Sequence, residues 1–180
     1  MIRALDRADR PDILAVVNAA AEAYRGIIPP DRWKEPYMPA DELAAEIAAG
    51  IAFSGWEDGN GLQGVMGVQP VEDVILIRHA YVRPERQGEG IGTALLDALC
   101  RDVDRPILIG TWAAATWAIR FYEARGFKLV GEDEKAGLLR RYWTVPERQI
   151  ETSVVLGDGR WFDWRGGGPP QYGPATDRYV

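Results

Sequence analysis

The sequence predicts a mixed α/β fold, and three observations carry the prediction. Apolar runs of strand length alternate with segments of helical period. One long apolar strand, DVILIRHAYV, leads through a helical segment to a second apolar strand, RPILIG. A strand–helix–strand crossover of this kind is right-handed and sets its two strands parallel. Between the first strand and its helix lie three glycines at alternate positions, in VRPERQGEGIGTALL.

The elements follow in order. IRAL reads as a short strand and DRADRPDILAVVNAAAEAY as a helix, with Pro11 in its first turn and Ile13, Val16, Val17 and Ala20 on one face. RGIIPPDRWKEPYMP, with four prolines, is a loop, and ADELAAEIAAG is a second helix closed by Gly50. IAFSGWED and LQGVMGVQPV flank GNG as an antiparallel hairpin. After DVILIRHAYV, the glycine run and its helix comes RPILIGTWA as a strand, then AATWAIRFYEARG as a helix stopped by Gly126. FKLVGE and GLLRRYWTV read as strands, the second closing the core. Beyond Pro146, IETSVVL-GDG-RWFDW reads as a β-hairpin turning at Asp158-Gly159, followed by the irregular, Gly/Pro-rich RGGGPPQYGP. Trp161, Phe162 and Trp164 in that segment call for cover, from the body of the protein or from a second protomer, so a homodimer is an expectation.

Composition narrows the function. With 180 residues, 47% hydrophobic and 27% charged, the chain has the size and balance of one globular domain. A formal net charge of −6 argues against a nucleic-acid partner, which needs a basic face. One cysteine (Cys100) and one histidine (His79) exclude an intrachain disulfide and a Cys/His zinc cluster, so no metal is expected. No segment resembles a signal peptide or has the apolar length of a membrane span, which makes a cytoplasmic location and no membrane partner the expectation.

The glycine run carries the chemistry. Ile91, Ala94, Leu95, Ala98 and Leu99 turn one face of the following helix to the core, which fixes where its N-terminus points. Gly88, Gly90 and Gly92 clear the first turn of side chains, and no Ser, Thr, Asp or Asn stands at the cap. Backbone N–H groups at a helix N-terminus then meet an anion from outside the chain. The dinucleotide pattern G-x-G-x-x-G fails, because Thr93 or Leu95 stands where the third glycine belongs, and no Gly-Lys-Ser/Thr triplet supplies a P-loop.

What remains, Gln87-Gly88-Glu89-Gly90-Ile91-Gly92 after YVRP, is a Q-x-x-G-x-G pattern. It resembles the acetyl-CoA pyrophosphate loop of the GNAT superfamily of N-acetyltransferases. AIRFYEARGF, Ala118 to Phe127, is similar to that family's A-x-x-F-Y-x-x-x-G-F segment, and the two stand in the family's order. The resemblance covers residues 1–145 as one acetyl-CoA-binding domain and leaves 146–180 as an extension. It implies a twisted, mostly antiparallel sheet with one parallel, splayed strand pair and helices on both faces.

The resemblance also implies roles. The pantetheine arm of acetyl-CoA pairs with backbone at Tyr81 and Val82, and the pyrophosphate lies on Gln87, Gly88, Gly90, Ile91, Gly92 and Thr93. Tyr122 is the counterpart of a tyrosine near the thioester sulfur, a general acid for the departing thiolate. The reaction is direct attack by a primary amine of a small molecule or peptide, whose proton needs an acceptor. His79, beside the thioester, is one choice; water leading to Glu22, Glu72 or Asp73 is another. Relatives carry the base at positions matching Leu76 or Arg78, and strand alternation puts those on the face opposite His79 and Tyr81. Ala115 stands where relatives often have an asparagine, with Thr116 and Trp117 beside it. Tyr24, Trp33, Tyr37 and Met38 suit an acceptor pocket, or equally pin the loop to the core. The alternatives to an enzyme are a non-catalytic acyl-CoA sensor and a nucleotide-binding module.

Overall fold

A computed structural model describes residues 1–101 and 103–167. These form two compact units, one from residues 1–69 and 77–103, the other from 70–76 and 104–167. Among the described residues no helix is long and apolar enough to cross a membrane.

The first unit contains β1 (Ile2–Ala4), α1 (Arg10–Ala21), α2 (Ala40–Ala48), β2 (Ala52–Asp58), and most of β3 (Gly61–Val71) and β4 (Val74–Val82), then α3 (Ile91–Cys100). Its strands lie in the order β1-β2-β3-β4. β1 and β3 flank β2 antiparallel, with Arg3 opposite Gly55 and Gly55 opposite Val65. One face carries a core of Ile13, Val16 and Val17 from α1, Leu43 from α2, and Phe53 and Val65 from the sheet. The proline-rich loop is tied to α1 by Asn18, whose amide accepts from Met38 N (2.7 Å) and donates to Met38 O (3.0 Å).

Val65 belongs to that core, so its neighbour Gly64 faces the other way. There it meets α3. A Cβ at Gly64 would stand 2.7 Å from Ile91 Cγ2 and 3.4 Å from both Leu95 Cδ1 and Tyr81 O. Only glycine lets this helix sit so close to the strand. Helices therefore cover both faces of this unit's sheet, as the sequence predicts.

The second unit holds the turn between β3 and β4, then β5 (Ile107–Trp112), α4 (Thr116–Glu123), β6 (Lys128–Leu129), α5 (Glu132–Tyr142), α6 (Glu147–Thr152), β7 (Ser153–Gly157) and α7 (Gly159–Gly167). The start of β4 neighbours β5 as the one parallel pair, with Ile75 N donating to Pro106 O at 2.9 Å. β7 then lies between β5 and β6, antiparallel to both. The core gathers Leu76, Leu108, Leu139, Tyr142, Trp143, Val155 and Trp161.

Two expectations are corrected here. GLLRRYWTV is not a strand; all but its last three residues lie in α5. Glu132, Asp133 and Glu134 at the start and Arg140 and Arg141 at the end match the helix dipole, and Leu139 and Tyr142 bury one face at helical spacing. The hairpin at Asp158-Gly159 is a strand followed by a helix. Asp158 is buried; its Oδ1 accepts from Trp161 N (3.1 Å), capping α7, and from Ile107 N (3.2 Å), while Oδ2 takes Arg160 Nε (2.6 Å). Trp161 is buried in this unit's core, Phe162 and Trp164 pack against it, and the Trp161 and Trp164 rings lie 5.0 Å apart. Of the irregular stretch expected over RGGGPPQYGP, the first three residues, 165–167, belong instead to α7, and the rest lies outside the described residues.

Two stability predictions follow from these contacts. Asp158→Ala strands the buried Ile107 N–H and uncaps α7, at a cost of about 1–3 kcal/mol. Gly64→Ala overpacks the seat of α3, at a cost of about 1–3 kcal/mol. Urea unfolding checks both; midpoints equal to wild type would refute the assigned contacts.

Candidate functional site

The chain leaves β4 through a single helical turn, Pro84–Arg86, and enters α3 through the glycines. Gly88 has φ +84° and Gly90 φ +81°, a left-handed backbone that costs a side-chain-bearing residue about 1–2 kcal/mol. A Cβ at either glycine would meet nothing within 4 Å, so packing does not require glycine there. Backbone conformation does, and the approach to the backbone stays open. Gly90 is the cap of α3, and no side-chain cap hydrogen bond is made. The first N–H groups of an α-helix have no partner within the helix. This arrangement fits a phosphate group arriving from outside the chain.

Around the loop, Gln87 is exposed and its Nε2 donates to Val82 O at 3.3 Å. Ile91 is buried against the sheet, while Gly92 and Thr93 are half-buried in the first turn of α3. Arg86 bridges Asp58 (2.6 Å) and Glu89 (2.9 Å), so Glu89 pairs across the rim of the loop.

The same unit gathers the aromatic residues singled out in the sequence. Tyr24 and Tyr37 stack with centroids 6.0 Å apart, Trp33 lies 5.7 Å from Tyr37, and Tyr81 meets Tyr24 and Tyr37 edge-on. Arg25 covers Trp33 at 4.5 Å and is held by Glu22 and Glu35. His79 stacks between Phe53 (5.9 Å) and Tyr81 (6.5 Å).

His79 also meets a residue that the sequence reading missed. Its Nε2 contacts Oε2 of Glu46, on α2. The other oxygen, Oε1, takes Arg78 Nη2 at 3.3 Å, and Arg78 Nη1 donates to Gln69 at 2.9 Å. Regular alternation would send Arg78 and His79 to opposite faces, yet both reach one carboxylate. The break is local: His79 has φ +51°. Burial would raise the Glu46 carboxyl, but the hydrogen bond to His79 and the charges of His79, Arg78 and Lys34 outweigh it and hold it below the usual carboxylate range. Burial pulls the Arg78 guanidinium down against the opposing pull of Glu46. An acid on the buried side of an amphipathic helix, three residues after Leu43, was the signal available for Glu46.

In the second unit Tyr122 is buried on α4, edge-on to Phe121 (5.0 Å) and Phe127 (5.9 Å). Ala115 is fully buried at the cap of α4, which has no side-chain cap hydrogen bond, and Trp117 is exposed. The acids named as alternative proton acceptors are engaged: Glu22 by Arg25, Glu72 by Arg141, and Asp73 as acceptor from the Tyr142 hydroxyl at 2.7 Å.

Comparison with known proteins gives the same direction. The family model described as "Acetyltransferase (GNAT) domain" matches residues 50–129, from the end of α2 through the glycine loop and Tyr122 to β6. No curated protein matches the sequence. Among solved structures, the chain is similar to the PaiA N-acetyltransferase of Thermoplasma acidophilum in complex with coenzyme A, at 18% identity and TM-score 0.66 over 88% of this chain and 97% of that one. A GNAT-family acetyltransferase from Staphylococcus aureus aligns over the same shares at 17% identity and TM-score 0.66. A ribosomal-protein alanine N-acetyltransferase from Escherichia coli aligns at 18% identity and TM-score 0.60, over 88% of this chain and 92% of that one. The glycine loop and the strands around it lie inside the matched segment, so residues 50–129 are similar in sequence to the acetyltransferase (GNAT) domain, and the fold is that of the GNAT structures.

Proposed function

We propose that this acyltransferase moves the acetyl group of acetyl-CoA to a primary amine of a small molecule or peptide, by direct attack of the amine. The observation that carries the reading is the pair of left-handed glycines, Gly88 and Gly90, ahead of a helix with no side-chain cap, inside the segment that matches the family. Binding of coenzyme A by the Thermoplasma neighbour supports it.

Backbone N–H groups of Gln87, Gly88, Gly90, Ile91, Gly92 and Thr93 would hold the diphosphate, and backbone at Tyr81 and Val82 the pantetheine arm. Bound acetyl-CoA supplies the thioester, an acyl carbon open to attack. Tyr24, Trp33 and Tyr37 form the acceptor's aromatic wall, suited to an aliphatic or cationic amine. An alkyl amine is protonated near neutral pH, with a pKa near 10.4. His79 takes its proton, and the Tyr122 phenol gives one to the departing thiolate. The support for His79 is its place beside Tyr81 and on Glu46. The support for Tyr122 is its position in the F-Y-x-x-x-G-F segment.

Acetyl-CoA at about a hundred times its Kd should stabilise the protein by about 2.7 kcal/mol, a rise of roughly 5–10 °C in Tm. No shift with acetyl-CoA or CoA would end the reading. In a screen of amines, polyamines, amino acids and peptides, Tyr122→Phe should lower kcat about a hundredfold or more with CoA affinity retained. Unaltered turnover would remove Tyr122 from the chemistry. A protein that binds CoA and acetylates nothing in the screen would be a sensor instead. His79→Gln should lower kcat/KM by a similar factor; full activity would exclude His79 as the base.

A further inference from the structure

We propose that Glu46 is the positioning residue for His79. Its carboxylate holds the ring as the Nε2–H tautomer, so that Nδ1 receives the amine's proton, and Arg78 balances that carboxylate. The inference rests on the reading of His79 as the base.

Each oxygen of Glu46 has a neighbour: Oε2 is in contact with His79 Nε2, and Oε1 accepts from Arg78 Nη2. The three side chains are 14–21% exposed, so water screens them poorly. A neutral imidazole has one N–H and one lone pair. A carboxylate accepts only, so the nitrogen facing Glu46 carries the hydrogen and the lone pair falls on Nδ1.

Charge fixes the second half of the inference. A lone buried carboxylate against a histidine favours the imidazolium, and a ring already protonated accepts nothing. Arg78, anchored on Gln69, supplies the compensating charge. With His79 neutral, Arg78 and Glu46 cancel; when His79 takes a proton the cluster gains one positive charge, which Glu46 faces directly. Other groups on the ring or the carboxylate include the Phe53 ring on β2, the Tyr81 phenol on β4 and, acting on Glu46 by its charge, Lys34 of the proline-rich loop, itself paired with Glu42 of α2. The left-handed backbone at His79 serves this cluster, because regular alternation would part His79 from Arg78.

His79 is the sole histidine in the sequence, so a ring-labelled NMR titration of the full chain, without ligand, reports it alone. Glu46→Gln keeps the size of the side chain and removes its charge. The His79 midpoint should fall by about one pH unit or more, and at alkaline pH the nitrogen shifts should change from the Nε2–H tautomer to a mixture. Arg78→Gln should move the midpoint up by about one unit. Glu46→Asp, which keeps the charge, should restore the direction of the wild-type midpoint. In turnover, the acid limb of kcat/KM should move with the NMR midpoint in each variant, which a purely structural effect would not produce. If the midpoint is unmoved in Glu46→Gln and in Arg78→Gln, the proposal is overturned, and a loss of activity in His79→Gln would still leave the base reading intact. Full activity in His79→Gln overturns the base reading, and with it the role of Glu46, whatever the titration gives.

Discussion

Much of the first unit depends on the missing side chain at Gly64. Ile91 is the first residue of α3, and its methyl group occupies the space that a Cβ at position 64 would fill. That contact fixes the start of the helix, not merely its axis. A helix N-terminus directs its N–H groups within a single turn, so a shift of an ångström there would re-aim them. Tyr81 O lies in the same spot, which brings the end of β4 under the same constraint. The cradle, the helix and the strand are thus set by one close approach. Gly67 does the same on the opposite face, where Ile51 Cγ2 and Arg78 O crowd its position.

Around His79 the dominant force is electrostatic. An acid, a base and a ring share one partly dry region, and each alone would be costly there. One hydrogen bond from Arg78 and one contact from His79 share a single negative charge, and a second Arg78 hydrogen bond anchors the guanidinium on Gln69. The left-handed residue costs about 1–3 kcal/mol, and histidine is among the side chains that tolerate it. Stacking on Phe53 and Tyr81 offsets part of that cost.

Much of this was legible in the residues. The apolar runs found β2, β3, β4 and β5, and helical spacing found α1, α2, α3 and α4, because burial imposes those periods directly. The glycine loop was legible because a left-handed backbone demands a particular residue. What failed was local ambiguity resolved by charge and capping. GLLRRYWTV has strand-like apolar content, yet the acids before it and the arginines within it favour α5. Asp-Gly is a hairpin signal until the aspartate turns its side chain to Trp161 N and starts a helix. Glu46 and His79 are 33 positions apart, and no periodicity links them; only the packing of α2 on the sheet does. The break at His79 likewise has no signature in its sequence neighbours.

The tryptophan packing of the second unit has an optical consequence. Trp143 lies against Gly110 and Trp161 against Gly157, where each indole fills the room a side chain would have taken. Trp112 and Trp164 belong to the same unit, and the first unit has only Trp33 and Trp56. Ultraviolet emission from this protein is therefore weighted toward one half of the chain. A fluorescence trace will chiefly follow the unit of β5, β7 and α7, while the imidazole of His79 reports from the other. Agreement or disagreement between the two signals during denaturation distinguishes one cooperative transition from two.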